Sequence, residues 1–109
     1  MALIEMDFAN ANGGGINPST VLSSWSYSTS NSISVPSDCK RGILACYVYG
    51  TNATWNITGA DVELLGTSGT GSVGSEQRTY YYITPTSSTI TAVASAGGSG
   101  VEVGIDLIY

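Results

Sequence analysis

The segment Val101-Glu-Val-Gly-Ile-Asp-Leu-Ile-Tyr109 decides the fold class of this chain. Its apolar side chains occupy alternate positions, at Val101, Val103, Ile105, Leu107 and Tyr109, and between them stand Glu102, Gly104 and Asp106. A period of two over this length is typical of a β-strand with one face buried and the other in water. The sequence therefore predicts a firmly packed strand over residues 101–109.

The N-terminal residues repeat the same pattern. Ile4, Met6 and Phe8 alternate with Glu5 and Asp7, which predicts an N-terminal strand or arm within residues 1–9. Residues 10–18 follow as a flexible linker, because they contain three consecutive glycines and end in proline. We expect the arm to pair with an edge strand, with a neighbouring subunit as one source of that edge, since strand addition satisfies backbone groups.

Between the two ends, short β-prone runs alternate with turn-forming residues, and no stretch combines a 3.6-residue period with good helix formers. The runs cover residues 21–28, 31–35, 42–49, 54–58, 61–65, 78–84 and 88–95. The glycine-rich residues 66–74 are expected to form a long loop. The prediction is a single all-β domain over residues 1–109, an antiparallel β-sandwich that is jelly-roll-like or immunoglobulin-like, with about seven to nine short strands.

The charge balance excludes several functions. The 109 residues contain 8 acidic and 3 basic side chains, a formal net charge of −5, and no histidine. Such a surface repels phosphate backbones and anionic membranes, so we expect no nucleic-acid or membrane partner. Without histidine, a His-dependent catalytic triad and a His-ligated metal or haem are excluded. No basic and apolar leader and no long apolar run occur, which predicts no signal peptide and no spanning segment.

The remaining motifs that could carry chemistry have simpler explanations. Asp61 and Glu63 share one face of a predicted strand and could form a carboxylate pair, but a solvated polar face accounts for them better. Gly69, Gly71 and Gly74 fit G-x-G-x-x-G, yet no strand–helix unit surrounds them. We therefore predict no enzyme, no catalytic residue, no cofactor and no metal site. Cys39 and Cys46 permit either one disulfide or two free thiols.

Aromatic residues are the more informative candidates. Trp25 and Tyr27 share a strand face, and in Tyr80-Tyr-Tyr82 at least one ring must point outward because successive side chains alternate. Exposed rings among hydroxyls and amides can stack on sugars or form a subunit interface, and buried rings would simply pack the core. The candidate ligand or interface aromatics are Trp25, Tyr27, Trp55 and Tyr81.

A series of segments carries a family resemblance over about residues 31–109. The segments are Ser32-Ile-Ser-Val-Pro, Gly42-Ile-Leu-Ala-Cys-Tyr-Val-Tyr-Gly, Val62-Glu-Leu-Leu-Gly, Arg78-Thr-Tyr-Tyr-Tyr and Ser88-Thr-Ile-Thr-Ala-Val-Ala-Ser. Their order resembles small β-sandwich proteins of bacteriophage tails, fibres and virion surfaces. The resemblance rests on the residue types of these segments and on their order along the chain. That family has no shared catalytic residues to carry over.

The resemblance implies a non-enzymatic virion structural or adhesion protein that acts through oligomeric and surface interactions. It implies that the protein forms a homo-oligomer, of which a trimer is one form. Its implied partners are other virion proteins, and its candidate receptor is a saccharide. The implied location is the virion surface, after assembly in a bacterial host cytoplasm.

The alternative is a carbohydrate-binding module that uses exposed aromatics. Such a module usually belongs to a secreted enzyme and should come with an export signal, whereas this chain starts at Met1 without one. This difference favours the virion interpretation.

Overall fold

A computed structural model describes residues 20–69, 76–95 and 102–109. Across these residues the chain forms β-strands in two packed antiparallel sheets and contains no helix that could span a membrane. The strands are β1 (Val21–Ser26), β2 (Ser30–Ser34), β3 (Gly42–Tyr49), β4 (Trp55–Thr58), β5 (Ala60–Ser68), β6 (Glu76–Pro85), β7 (Thr89–Ala94) and β8 (Glu102–Ile108). The predicted all-β sandwich is confirmed. The predicted arm (1–9) and linker (10–18) lie outside the described residues.

The strand order places sequence-distant segments side by side. The wide sheet has five strands in the order β1-β8-β3-β6-β5, and the narrow sheet has three in the order β2-β7-β4. The pairs β1–β8, β2–β7 and β3–β6 wrap around the sandwich together, which is a jelly-roll-like arrangement. β5 departs from it, because it pairs with β6 in the wide sheet and leaves β4 as an edge strand.

The core lies between β3 and β8 of the wide sheet and the facing strands of the narrow sheet. Val103, Ile105 and Leu107 of β8 are fully buried, and β8 lies between β1 and β3. The prediction of a firmly packed final strand is therefore confirmed. Each of these side chains contributes about 1.5–3 kcal/mol through burial. Seven of the eight residues of β3 are also buried, because this strand is central in its sheet.

Gly59 forms the corner at which the chain passes from the narrow sheet to the wide sheet. It is the single residue between β4 and β5, and its φ of 89° lies in the left-handed region that favours glycine. A β-carbon at Gly59 would also collide with the carbonyl oxygen of Thr89. The turn therefore requires glycine for both its conformation and its space.

The predicted loop over residues 66–74 is wrong at its start, because β5 continues to Ser68. The register between β5 and β6 shifts between Leu64 and Gly66, which is a β-bulge. The bulge breaks the two-residue alternation, so the sequence pattern ends before the strand does. Residues 70–75 lie outside the described part of the chain.

Asn31 provides a polar connection between the two sheets. Its side chain is 7% exposed, and Nδ2 donates hydrogen bonds to the carbonyl oxygens of Ser24 (2.8 Å) and Val103 (3.2 Å). Oδ1 accepts from Ser24 Oγ at 2.6 Å and from the backbone N–H of Ser32 at 3.0 Å. Asn31 on β2 is thus bonded to both β1 and β8, which fixes the narrow sheet against the wide one.

Candidate functional site

The outer face of the wide sheet carries a row of side chains that crosses four strands. The register pairs Trp25 of β1 with Gly104 of β8, Gly104 with Tyr47 of β3, and Tyr47 with Arg78 of β6. Residues directly opposite each other in a sheet share a face. Gly104 has no side chain, and the ring of Tyr47 occupies the space above it. We call Trp25, Tyr47 and Arg78 the aromatic row.

Contacts within the aromatic row hold Tyr47 in place. The Trp25 and Tyr47 ring centroids lie 5.3 Å apart with an interplanar angle of 37°. The guanidinium carbon of Arg78 lies 5.0 Å from the Tyr47 centroid, within the range of a cation–π contact. The Tyr47 hydroxyl donates to Asp106 Oδ1 at 3.3 Å. Tyr47 is only 9% exposed whereas Trp25 is 46% exposed, so Trp25 is the ring that a ligand could reach.

Tyr47 and Arg78 of the aromatic row are unsuited to proton transfer near neutral pH. Burial raises the pKa of Tyr47 to about 12, and the negative charge of Asp106 adds to that rise. The phenol is therefore a neutral hydrogen-bond donor. Arg78 Nε donates to Glu76 Oε1, and this bond raises the pKa of the guanidinium further. The row offers fixed charges and donors to a bound molecule.

Both cysteines are free and buried, so the disulfide alternative does not hold. Burial raises the pKa of the Cys46 thiol to about 12. Burial and the neighbouring charge of Asp38 also raise the pKa of Cys39. Since the thiolate is the reactive form, neither side chain is an activated nucleophile.

A shallow depression of about 320 Å³ lies at the Gly42 end of β3. Tyr82 and Glu63 are register partners on the outer face there, and the lining also includes Arg41 and Thr84. Glu63 and its neighbour Asp61 are both exposed. The outer face thus carries two sites where an aromatic ring has a charged neighbour: Tyr47 with Arg78 in the aromatic row, and Tyr82 with Glu63 at the depression.

The structure divides the four candidate aromatics between two places. Trp25 belongs to the aromatic row, and Tyr27, which follows β1, is 79% exposed. Trp55 and Tyr81 instead pack against the core, each partly buried. The indole Nε1 of Trp55 is buried and has no hydrogen-bond partner among the described residues.

Sequence reasoning did not single out four residues of the outer face: Tyr47, Arg78, Tyr80 and Tyr82. For the tyrosines of β6 a signal was available. Ile83 is a core residue, so Tyr81, two positions earlier, shares its face, and Tyr80 and Tyr82 must point the other way. For Tyr47 and Arg78 no such signal exists, because their meeting depends on the registers of β3 with β6 and β8.

A second feature lies at the opposite edge of the sandwich, where the two sheets differ in width. Val62 and Leu64 of β5 oppose the core-facing residues Ile83 and Tyr81, so they belong to the inner face. They are nevertheless 43% and 61% exposed, because no described strand lies beside β4 to cover them. Ile57 of β4 is only partly buried for the same reason. We call Trp55, Ile57, Val62 and Leu64 the open side.

Within the described ranges, no group of three or more Cys, Asp and Glu side chains is arranged to hold a metal ion. The chain matches no family model, no curated protein and no solved structure at a significant level. What the geometry offers is two surfaces suited to binding: a half-exposed aromatic row on a rigid sheet, and an open side that exposes inner-face apolar side chains.

Proposed function

We propose that this protein is a non-enzymatic structural and adhesion protein of a bacteriophage virion surface, and that it works by assembling with copies of itself and with other virion proteins. The observation that carries the proposal is the open side. Leu64 faces inward from the wide sheet and is still 61% exposed. Among the described residues nothing covers this part of the inner face and one edge of β4 has no partner strand, an arrangement that another polypeptide could complete.

The energetics favour assembly at this place. Full burial of a Val or Leu side chain contributes about 1.5–3 kcal/mol, and the described part of the chain does not give this burial to Val62 and Leu64. The backbone at the free edge of β4 adds donors and acceptors that a partner strand can satisfy. Both contributions become available when a further strand covers the open side.

Two further observations agree with a virion role. The segment order over about residues 31–109 resembles small virion-surface β-sandwiches, and jelly-roll sandwiches are frequent in viral capsid and lectin domains. A fold by itself does not determine function, so the open side and not the fold is the main support.

The assembly part of the proposal is tested by the mass of the protein in solution. Light scattering after size-exclusion chromatography should give a multimer for the unaltered chain and a smaller species for Leu64→Lys. Val93→Lys is the matched control, because Val93 is an exposed apolar residue on the outer face of β7, on the opposite face of the narrow sheet from the open side. A monomer at all concentrations, or an equal effect of both variants, contradicts assembly through the open side.

The virion part has a separate test. Phage particles purified from cultures that carry the gene should contain the protein in several copies per particle, measured by quantitative mass spectrometry. Particles that lack the protein while the free protein accumulates in the cells contradict a virion role.

The aromatic row supports saccharide binding as a second candidate function. A half-exposed Trp25, backed by the buried Tyr47, can stack on the apolar face of a sugar ring. Arg78, Glu76 and Asp106 supply donors and acceptors for the sugar hydroxyls at the same place. On a glycan array, binding should disappear in Trp25→Ala and persist in Val93→Ala. Binding that survives Trp25→Ala, or no binding by the unaltered chain, contradicts this function.

A further inference from the structure

In the described part of the narrow sheet, the free edge of β4 could accept one further strand. β4 pairs with β7 along one edge, and no described strand pairs with the other. Beside that free edge lie the half-exposed side chains of Val62 and Leu64, on the inner face of β5. A strand added to β4 would therefore both pair with its backbone and cover these apolar side chains.

The N-terminal segment of the chain has the sequence that this position requires. Residues 4–8 alternate Ile, Met and Phe with Glu and Asp, a pattern that would give an added strand one apolar and one acidic face. With the apolar face inward, three large side chains would cover the open side. The two acids would then lie beside the outward side chains of β4. Those side chains belong to Asn56 and Thr58 and carry no charge.

The connection to β1 indicates which copy receives the segment. Thr20 precedes β1, and β1 and β5 are at opposite edges of the wide sheet, about 19 Å apart across four strand spacings. Residues 9–19 reach at most about 40 Å when fully extended and about 18 Å on average for a glycine-rich chain. Crossing this width to its own open side would use up the whole average reach of the linker, whereas a neighbouring copy could receive the segment without that extension.

We propose that residues 3–8 of one copy add as a strand to the free edge of β4 of a second copy and cover its Val62 and Leu64. This inference rests on the proposed assembly and names the segment that drives it. The occupant is thus a segment of the same sequence, and the assembly is a strand exchange between identical subunits.

Disulfide trapping between full-length chains tests the exchange. A chain with Met6→Cys and a differently tagged chain with Leu64→Cys are co-expressed and oxidised, and the products are separated on a non-reducing gel. The native Cys39 and Cys46 are buried and should not compete. The expected product is a mixed dimer that carries both tags and disappears on reduction.

Two control pairs define the result. In the first pair Asp7→Cys replaces Met6→Cys, and this moves the thiol to the opposite face of the segment. In the second pair Val93→Cys replaces Leu64→Cys, and this moves the thiol to the opposite face of the narrow sheet from the open side. Both should give little mixed dimer. Equal trapping in the controls, or no trapping in the test pair, overturns the exchange.

A chain that carries both Met6→Cys and Leu64→Cys separates exchange from closure within one chain. Exchange gives covalent multimers, whereas closure within one chain gives a monomer with a faster, reduction-sensitive mobility and overturns the proposal. Light scattering distinguishes failure of the strand exchange from failure of the proposed assembly. If the protein forms a multimer that depends on Leu64 but gives no disulfide trapping, the assembly stands and the N-terminal segment is refuted as the added strand. A protein that is monomeric throughout refutes both.

Discussion

Gly104 of β8 lies directly beneath the ring of Tyr47 of β3, and a β-carbon at position 104 would overlap the atoms of that ring. The ring has little room to move, because Trp25 lies on one side of it and Arg78 on another. The aromatic row therefore depends on the absence of a side chain on the neighbouring strand.

Gly104→Ala should displace Tyr47 and lower the free energy of unfolding by about 1–3 kcal/mol, as overpacking in a filled site does. Denaturant unfolding measures the loss, and near-UV circular dichroism follows the Trp25–Tyr47 contact. In a Tyr47→Ala background the same substitution should cost far less, because the colliding ring is gone. An equal cost in both backgrounds would show that the strain arises elsewhere.

Gly59→Ala should destabilise the protein by several kcal/mol, since it combines a left-handed φ of 89° with a collision against the Thr89 carbonyl. Gly66→Ala is the matched control on β5. A β-carbon there meets nothing within 4 Å, so the change should be neutral or stabilising by about 0.5–1 kcal/mol. Thermal melts should give a lower melting temperature for Gly59→Ala than for Gly66→Ala. The reverse ranking would contradict the role of Gly59 at the turn between β4 and β5.

Asn31→Ala should lower stability by about 2–3 kcal/mol, because it removes the buried amide that donates to the carbonyl oxygens of Ser24 and Val103. Ser32→Ala serves as the control, since the Ser32–Thr91 hydroxyl contact is exposed and should contribute under about 1 kcal/mol. Chemical denaturation of both variants gives the comparison. Similar losses in the two would mean that Asn31 does not hold the sheets together.

Asn31→Asp should make stability depend on pH in the acid range. The carboxylate would face the two carbonyl oxygens that now accept from Nδ2, so the folded state would favour the protonated form. The folded pKa would lie above the unfolded value of about 3.9, and stability would be highest below pH 4 and would fall as pH rises. Unfolding curves from pH 3 to 7 test this, and a flat profile contradicts it.

In the alkaline range the unaltered protein should lose stability as pH rises from about 9 to about 12. Cys46 has its folded pKa raised from 9.0 to about 12, and Tyr47 from 10.0 to about 12. The unfolded chain therefore releases these protons first, and each fully shifted group contributes a slope of about −1.4 kcal/mol per pH unit. Cys46→Ala should flatten the slope near pH 9–10, whereas Val93→Ala should leave it unchanged. Identical slopes in all three proteins would contradict the assignment.

The strands were predictable where burial and alternation agree. Residues 42–49 coincide with β3, and the alternating C-terminal segment contains β8, because uncharged or alternating runs carry a strong local signal. β5 was predicted too short because its bulge at Leu64–Gly66 interrupts the period. The local sequence pattern thus predicts regular strands but fails where a β-bulge interrupts the hydrogen-bonded pairing.

The candidate surfaces were predictable only in part. Trp25 was found because a large aromatic on a short polar strand is conspicuous, but its partners Tyr47 and Arg78 come from strands distant in sequence. The open side could not be foreseen, since it arises because β5 pairs with β6 and leaves one edge of β4 without a described partner strand. Register and sheet width are properties of the assembled fold, and no short window of sequence contains them.

The central position of β8 has a consequence for the rate of folding. Val21 must find Ile108, and Ile43 must find the same residue, before the wide sheet can close. Loops of this length are closed at a large entropic cost before their contacts stabilise anything, and sheets of such topology fold in milliseconds to seconds. During that interval β3, which carries no charge over its eight residues, is exposed without its partners. The chain should therefore be most prone to aggregate while it folds, and dilute or slow refolding should give the highest yield.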